Sequence, residues 1–188
     1  ALAEFIDGCD TPVTIGIQGD WGIGKTSLLR MLEELLQPRR GRRFQTPTLY
    51  LNTWQYAQFK QEEFLPISIL GGIVKQLEQR FGDPMAGMEG PDIAEILQTY
   101  RDRFAKLVQK VLAGPRDKLV IMIDDLDRVR PVRALEMLES IKNFVDVPGC
   151  VFVLAVDYGV ILQGVADRLG REAQLTHGKS YFDKIIQV

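Results

Sequence analysis

Residues 13–27, VTIGIQGDWGIGKTS, constrain this chain more than any other stretch, because a charge-free β-branched run passes straight into a glycine-rich turn. Val13 to Ile17 has the composition of a strand covered on both faces. Gly19-Asp20-Trp21-Gly22-Ile23-Gly24-Lys25-Thr26 follows with the spacing G-x-x-x-x-G-K-[ST]. Leu28, Leu29, Leu32, Leu35 and Leu36 then recur three and four residues apart, which predicts a helix with those leucines on one face. Strand, turn and helix in that order are the setting a phosphate cradle requires.

Each position in the cradle has a physical role. The glycines allow backbone angles closed to other residues, so that main-chain N–H groups from Gly19 to Ser27 can approach phosphate oxygens. The helix that opens near Lys25 directs its positive dipole end at the same oxygens. Lys25 adds a full charge for β- and γ-phosphates, and the Thr26 hydroxyl is a candidate Mg²⁺ ligand.

At 188 residues the chain suits one domain with a sizeable core. A formal net charge of −2 supplies no global attraction to nucleic acid or to an anionic membrane. A local basic run, Arg39, Arg40, Arg42 and Arg43, can either touch a phosphate backbone or serve as a solvated connector. No aromatic stacking platform accompanies it, which favours the connector and leaves nucleic acid the weaker partner reading. Cys9 and Cys150, the only cysteines, lie far apart and read as reduced thiols of a cytoplasmic protein. His177, the only histidine, sits in a polar stretch and reads as a loop residue. No apolar run approaches the ~20 residues of a membrane helix, and no signal-peptide pattern opens the chain. Val188 stands inside an apolar run, so the expectation is one domain over 1–188, cut from something larger at both ends.

Further along, TLYLNT (48–53) reads as a second strand ending at Trp54-Gln55-Tyr56, and Phe64 to Phe81 as a helix weakened by Gly71-Gly72. Gly82 to Pro91 reads as a flexible joint. Ile93, Ile96, Leu97, Tyr100, Phe104, Leu107, Val108 and Val111 trace one face of a long amphipathic helix. Leu119 to Ile123 is a third strand, Pro131 suits a helix first turn, and Leu135, Leu138, Ile141 and Val145 form that helix's buried face. Cys150 to Val156 is a fourth strand, Tyr158 to Leu169 a weaker helix, and Ile185 to Val188 a possible fifth strand. Strands alternating with helices predict an α/β fold with a mostly parallel sheet covered on both faces. Ligands of such sheets bind beyond the carboxyl ends of the strands, where the cradle, Asp124-Asp125 and Asp157 all fall.

Four apolar residues ending in an acid form the second half of a nucleotide site. Asp124 is placed to hold Mg²⁺ together with Thr26. Asp125 offers a second carboxylate that can orient a water against the γ-phosphorus, although glutamate is commoner in motor-type ATPases and aspartate is one methylene shorter. Asp125 can equally cap a turn or pair with Arg128. Asp127 suits turn or capping duty as well as chemistry. Asp157 can sense a γ-phosphate through water or N-cap the following helix. Arg128 is the choice among Arg128, Arg130 and Arg133 for neutralising transition-state charge, with a surface role as its alternative.

With both halves in place, the chain resembles the KAP family of P-loop NTPases. The resemblance rests on the Trp21-containing phosphate loop through Ser27, Asn52-Thr53-Trp54-Gln55-Tyr56, Asp124-Asp125-Leu126-Asp127-Arg128 and Tyr181-Phe182-Asp183-Lys184-Ile185-Ile186-Gln187. It implies a three-layer αβα ATPase core of the additional-strand type, with an extra strand between the phosphate-loop strand and the Asp124 strand. It also implies a regulatory or signalling role, as in bacterial phage-exclusion relatives and animal membrane-associated scaffolds. Two departures stand out. Many members carry membrane-spanning segments between the nucleotide motifs, whereas Phe64 to Ala113 is too charged to span a bilayer, so any membrane association would come through regions outside this segment. The helical region usual beyond the last strand is not part of the sequence.

The leading expectation is a slow, Mg²⁺-dependent ATP switch acting through a protein partner or effector domain, with an oligomer as one form it can take. The absence of an N/T-K-x-D motif favours ATP over GTP. The main alternative is a nucleotide-dependent scaffold with little or no hydrolysis. A small-molecule kinase would need an acceptor pocket and an arginine-rich lid, and neither stands out. A nucleic-acid motor would rest on Arg39 to Arg43 alone.

Overall fold

The computed structural model describes residues 1–37, 46–55, 65–81, 93–172 and 186–188, without the side chains of 65, 66, 93, 94, 143 and 145. The basic run at Arg39 to Arg43, the joint at Gly82 to Pro91, His177 and the Tyr181–Ile185 part of the last motif lie outside the described residues.

Leu119 to Asp124 (β3) and Cys150 to Val156 (β4) are buried at every position, which is why they read as unbroken apolar runs. Val13–Gln18 (β1) and Thr48–Asn52 (β2) flank them, giving a parallel four-stranded sheet in the order β1-β4-β3-β2. β4 therefore lies between the phosphate-loop strand and the Asp124 strand, the additional-strand arrangement that the family resemblance implies.

Alternation along the strands divides the core into two layers. Val120, Met122, Val151, Val153 and Ala155 pack with Val13 and Ile15 against Leu2–Gly8 (α1) and Lys25–Leu36 (α2). Leu119, Ile121, Ile123, Phe152 and Leu154 face the opposite layer. That layer is made of Leu65–Phe81 (α3), Ile93–Val111 (α4), Pro131–Val145 (α5) and Tyr158–Leu169 (α6). Burial contributes about 1.5–3 kcal/mol for each such aliphatic side chain, so the two central strands form the rigid platform under the site.

Element boundaries differ little from the sequence reading. The apolar face of α2 is narrower than its leucine spacing suggests: Leu29, Leu32 and Leu36 are buried, while Leu28 and Leu35 are exposed. A second apolar stripe on one helix cannot face the same sheet. Helix α1 gave no sequence signal, because it has seven residues and no side-chain N-cap. Tertiary contacts hold it instead: Ile6 is fully buried, and the Lys118 ammonium donates to the carbonyls of Ile6, Asp7 and Cys9 at 2.7, 3.1 and 2.5 Å. Ile186 is buried against Gly16, and the Gln187 N–H and the Val188 carbonyl bond to the outer edge of β1. These are backbone bonds of the expected fifth segment, without regular strand pairing among residues 186–188.

Glycine at 71 weakens α3 locally but lets Tyr100 of α4 pack closely, since a Cβ there would meet the Tyr100 hydroxyl at 3.0 Å. Gly164 of α6 is tighter. A Cβ at 164 would stand 2.3 Å from the Pro131 carbonyl oxygen at the start of α5, which is backbone and cannot swing aside. Gly164→Ala is expected to cost about 2–3 kcal/mol, toward the upper end for overpacking. Denaturant unfolding would check this, and an unchanged midpoint would refute the close α5–α6 crossing.

Both cysteines are free thiols. Burial pushes the Cys150 thiol up to about 12, so it is an inert core residue.

Candidate functional site

The loop after β1 and the acidic end of β3 open on the same edge of the sheet, two strand spacings or roughly 10 Å apart with β4 between. In the loop, Gly22 and Gly24 have φ of 84° and 102°, in the left-handed region that glycine reaches without cost. Nothing lies within 4 Å of where a Cβ would sit on either residue, so both positions face open space. Gly24 forms the N-cap of α2 without any side-chain cap, leaving the first-turn N–H groups of Lys25, Thr26 and Ser27 directed out of the helix end. Trp21 and Ile23 project from the loop and are 79% and 70% exposed.

Lys25 turns back across the loop. Its ammonium donates to the Gly19 and Asp20 carbonyls at 2.6 and 3.2 Å and pairs with Asp127 Oδ2 at 2.8 Å. Both side chains are under one-tenth exposed. This pair joins the loop to the acidic strand end, and it gives Asp127 a partner that the sequence reading did not foresee.

Asp124 is almost wholly buried. Its Oδ2 accepts the Tyr50 hydroxyl and its Oδ1 accepts the Asp125 N–H at 2.9 Å, while Thr53 Oγ1 donates to its carbonyl at 2.8 Å. Burial first, and then the bond to Asp124, hold the Tyr50 phenol well above its ordinary range, so it stays a donor. The Arg30 guanidinium lies 3.4 Å over the Tyr50 ring. The chain Arg30–Tyr50–Asp124 thus orients the carboxylate from outside.

Asp125 adopts φ 62°, the one non-glycine residue with positive φ among those described. That turn aims its carboxylate sideways, where Oδ2 accepts Asn52 Nδ2 at 2.8 Å and Oδ1 pairs with Arg128 Nε at 2.7 Å. Burial and then the neighbouring Asp124 charge raise its pKa above the ordinary carboxylate value, against the opposing pull of Asn52 and Arg128. A raised pKa makes a carboxylate a better proton acceptor near neutrality. Asp125 and Arg128 are partners of each other, the pairing left open by the sequence alone.

Asp157 makes the N-cap contact of its two readings: its Oδ1 accepts the Gly159 N–H at 2.8 Å and caps α6. Thr26 and Ser27 are exposed on the first turn of α2. Sequence reasoning missed Tyr50, Arg30 and the contacts of Asn52 and Asp127. The strand-end string containing Asn52 was visible, but register decides that Asn52 stands beside Asp124 across the β2–β3 ladder.

Thr26 and Asp124 offer hard oxygens of the kind Mg²⁺ takes, with phosphate and water completing the shell. Each Asp124 oxygen accepts one hydrogen bond and retains a lone pair. The residues present therefore fit a Mg²⁺–nucleotide. Among the described residues no three His, Cys, Asp or Glu side chains gather as a metal cluster, so such an ion would depend on phosphate and water.

The KAP family P-loop domain matches residues 1–82 and 88–188. This chain belongs to the KAP family. A phage T7 exclusion protein from Escherichia coli (strain K12) is 25% identical over 225 aligned residues, covering 93% of this KAP domain and 29% of that protein. The KAP domain thus spans under a third of that curated relative. Among solved structures, the Aeropyrum pernix ORC1 protein in complex with DNA superposes with a TM-score of 0.59. It is 17% identical over 93% of this chain and 41% of that one, a likeness of fold. No described helix of the KAP domain is long and apolar enough to cross a membrane.

Proposed function

We propose that this KAP domain binds Mg²⁺–ATP across the β1–α2 loop and the end of β3, and hydrolyses it slowly as a regulatory switch. The buried Lys25–Asp127 pair carries the reading, because it brings two motifs a hundred residues apart onto one edge of the sheet. Backbone N–H groups of the loop and Lys25 would hold the phosphates, and Thr26 with Asp124 would hold the divalent ion. That ion supplies neutralisation of the developing phosphoryl charge. Asp125 would orient the attacking water and accept its proton, its basicity supported by burial. Arg128 lies close enough to Asp125 to place positive charge near the same water. Phage exclusion is the biological setting suggested by the T7 exclusion relative, with an effector region or protein partner reading the nucleotide state.

A second reading, a nucleotide-dependent scaffold with little turnover, is favoured by one observation. Both Asp125 oxygens already accept hydrogen bonds, from Asn52 and Arg128. Phosphate release by the intact protein, with Mg²⁺ and then with EDTA, separates the two. Slow, EDTA-sensitive release supports the switch. Tight Mg²⁺–ATP binding without release under every partner condition supports the scaffold.

A further inference from the structure

Lys25 has three N–H donors and three acceptors: the Gly19 carbonyl, the Asp20 carbonyl and the Asp127 carboxylate. The ammonium is saturated. To reach a phosphate it must surrender one bond, and the two carbonyls belong to the loop that would itself wrap the phosphates. Asp127 is the anionic acceptor and lies on a different element, so a phosphate oxygen and the Asp127 carboxylate compete for the same proton and the same charge.

Asp127 also belongs to the single 3₁₀ turn Leu126–Arg128 that follows Asp125. Within that turn the Arg128 N–H donates to the Asp125 carbonyl at 3.2 Å, and the Arg128 side chain holds the Asp125 carboxylate. The Asp127 side chain is only 6% exposed, so a carboxylate that loses Lys25 cannot stay in place as an unpaired buried charge. Unless the carboxylate takes up a proton, relief comes from a shift of the turn, which carries Asp125 and Arg128 with it.

Building on the proposed nucleotide site, we infer that Asp127 is a positioning residue that occupies Lys25 until a nucleotide phosphate displaces it, and that this displacement resets the turn carrying Asp125 and Arg128. Phosphate contact at one end of the site is thereby transmitted to the water-orienting carboxylate at the other. The residue exacts a cost in affinity in exchange for coupling.

The test measures the affinity of the intact protein for a fluorescent, slowly hydrolysed ATP analogue with Mg²⁺, comparing wild type, Asp127→Asn and Asp127→Glu. Removing the competitor is expected to tighten binding about tenfold in Asp127→Asn, a direction that structural damage would not produce, with Asp127→Glu restoring wild-type affinity. Equal or weaker binding by a folded Asp127→Asn overturns the inference while leaving the nucleotide site standing. If the wild type binds no nucleotide, the site itself falls and the inference with it. Should Asp127→Asn not fold, hydrogen exchange on the wild type decides: addition of the analogue is expected to change protection across 126–128, and unchanged protection there with the loop protected overturns the proposal.

Discussion

Lys25→Ala is expected to weaken Mg²⁺–ATP binding at least ~10²-fold, and to lower stability as well. Both effects come from one ammonium. It is the full positive charge on the phosphate loop, and losing such a desolvated, hydrogen-bonded charge costs about 2–5 kcal/mol, where each 1.4 kcal/mol is tenfold in affinity. The same substitution leaves the Asp127 carboxylate buried without its cation. Breaking a buried pair from one side costs about 3–5 kcal/mol, less if the carboxylate takes up a proton. Loss of binding by Lys25→Ala alone would therefore not distinguish a missing phosphate ligand from a damaged fold. The double variant Lys25→Ala/Asp127→Asn separates them. It is expected to recover most of the thermal stability and none of the affinity. Recovery of both would show that Lys25 is a structural residue with no part in binding phosphate.

Asp125→Asn is expected to leave nucleotide affinity within a few-fold of wild type and to reduce phosphate release by about 10²–10⁴-fold, the usual size of a general-base contribution. The amide keeps the shape and can still meet Asn52 or Arg128, but it cannot accept a proton. Stability should move the other way. Burial and Asp124 raise the Asp125 pKa in the fold, so the folded state binds that proton more tightly than the unfolded chain does. Its stabilising contribution is complete below the ordinary carboxylate pKa and is lost as pH rises through the raised value. At neutral pH the ionised group therefore strains the fold, and Asp125→Asn is expected to melt no lower than wild type despite losing the Arg128 ion pair. Wild-type turnover should also fall on the acid side as Asp125 takes up its proton, and that limb should be absent from the variant. Equal turnover in the two proteins would remove Asp125 from the mechanism.

The architecture was legible because its signals are local. Unbroken apolar runs at 119–123 and 150–156 mark strands buried on both faces, and the glycine-rich turn between Ile17 and the helical leucines marks the phosphate loop. What escaped depends on which elements become neighbours. Tyr50 looked like an ordinary strand residue, yet strand alternation turns it to the α2 side, where its hydroxyl finds Asp124 and its ring lies under Arg30. Asp127 looked like a turn former, yet the β1-β4-β3 order and the 3₁₀ turn bring it to Lys25. Helix α1 is held by Lys118, over a hundred residues away, and no periodicity in seven residues could announce it. Asp157 stands where either a sensor or a cap belongs, and the structure adds the Gly159 N–H that it caps.

The most direct measurement is a crystal structure of the protein saturated with Mn²⁺, as a stand-in for Mg²⁺, and a non-hydrolysable ATP analogue, with the metal located by its anomalous signal. The prediction is a triphosphate lying over Gly19 to Ser27 in contact with Lys25, and one cation between the Thr26 hydroxyl and the Asp124 carboxylate. A nucleotide bound elsewhere, or a bare loop at saturating analogue, would contradict it.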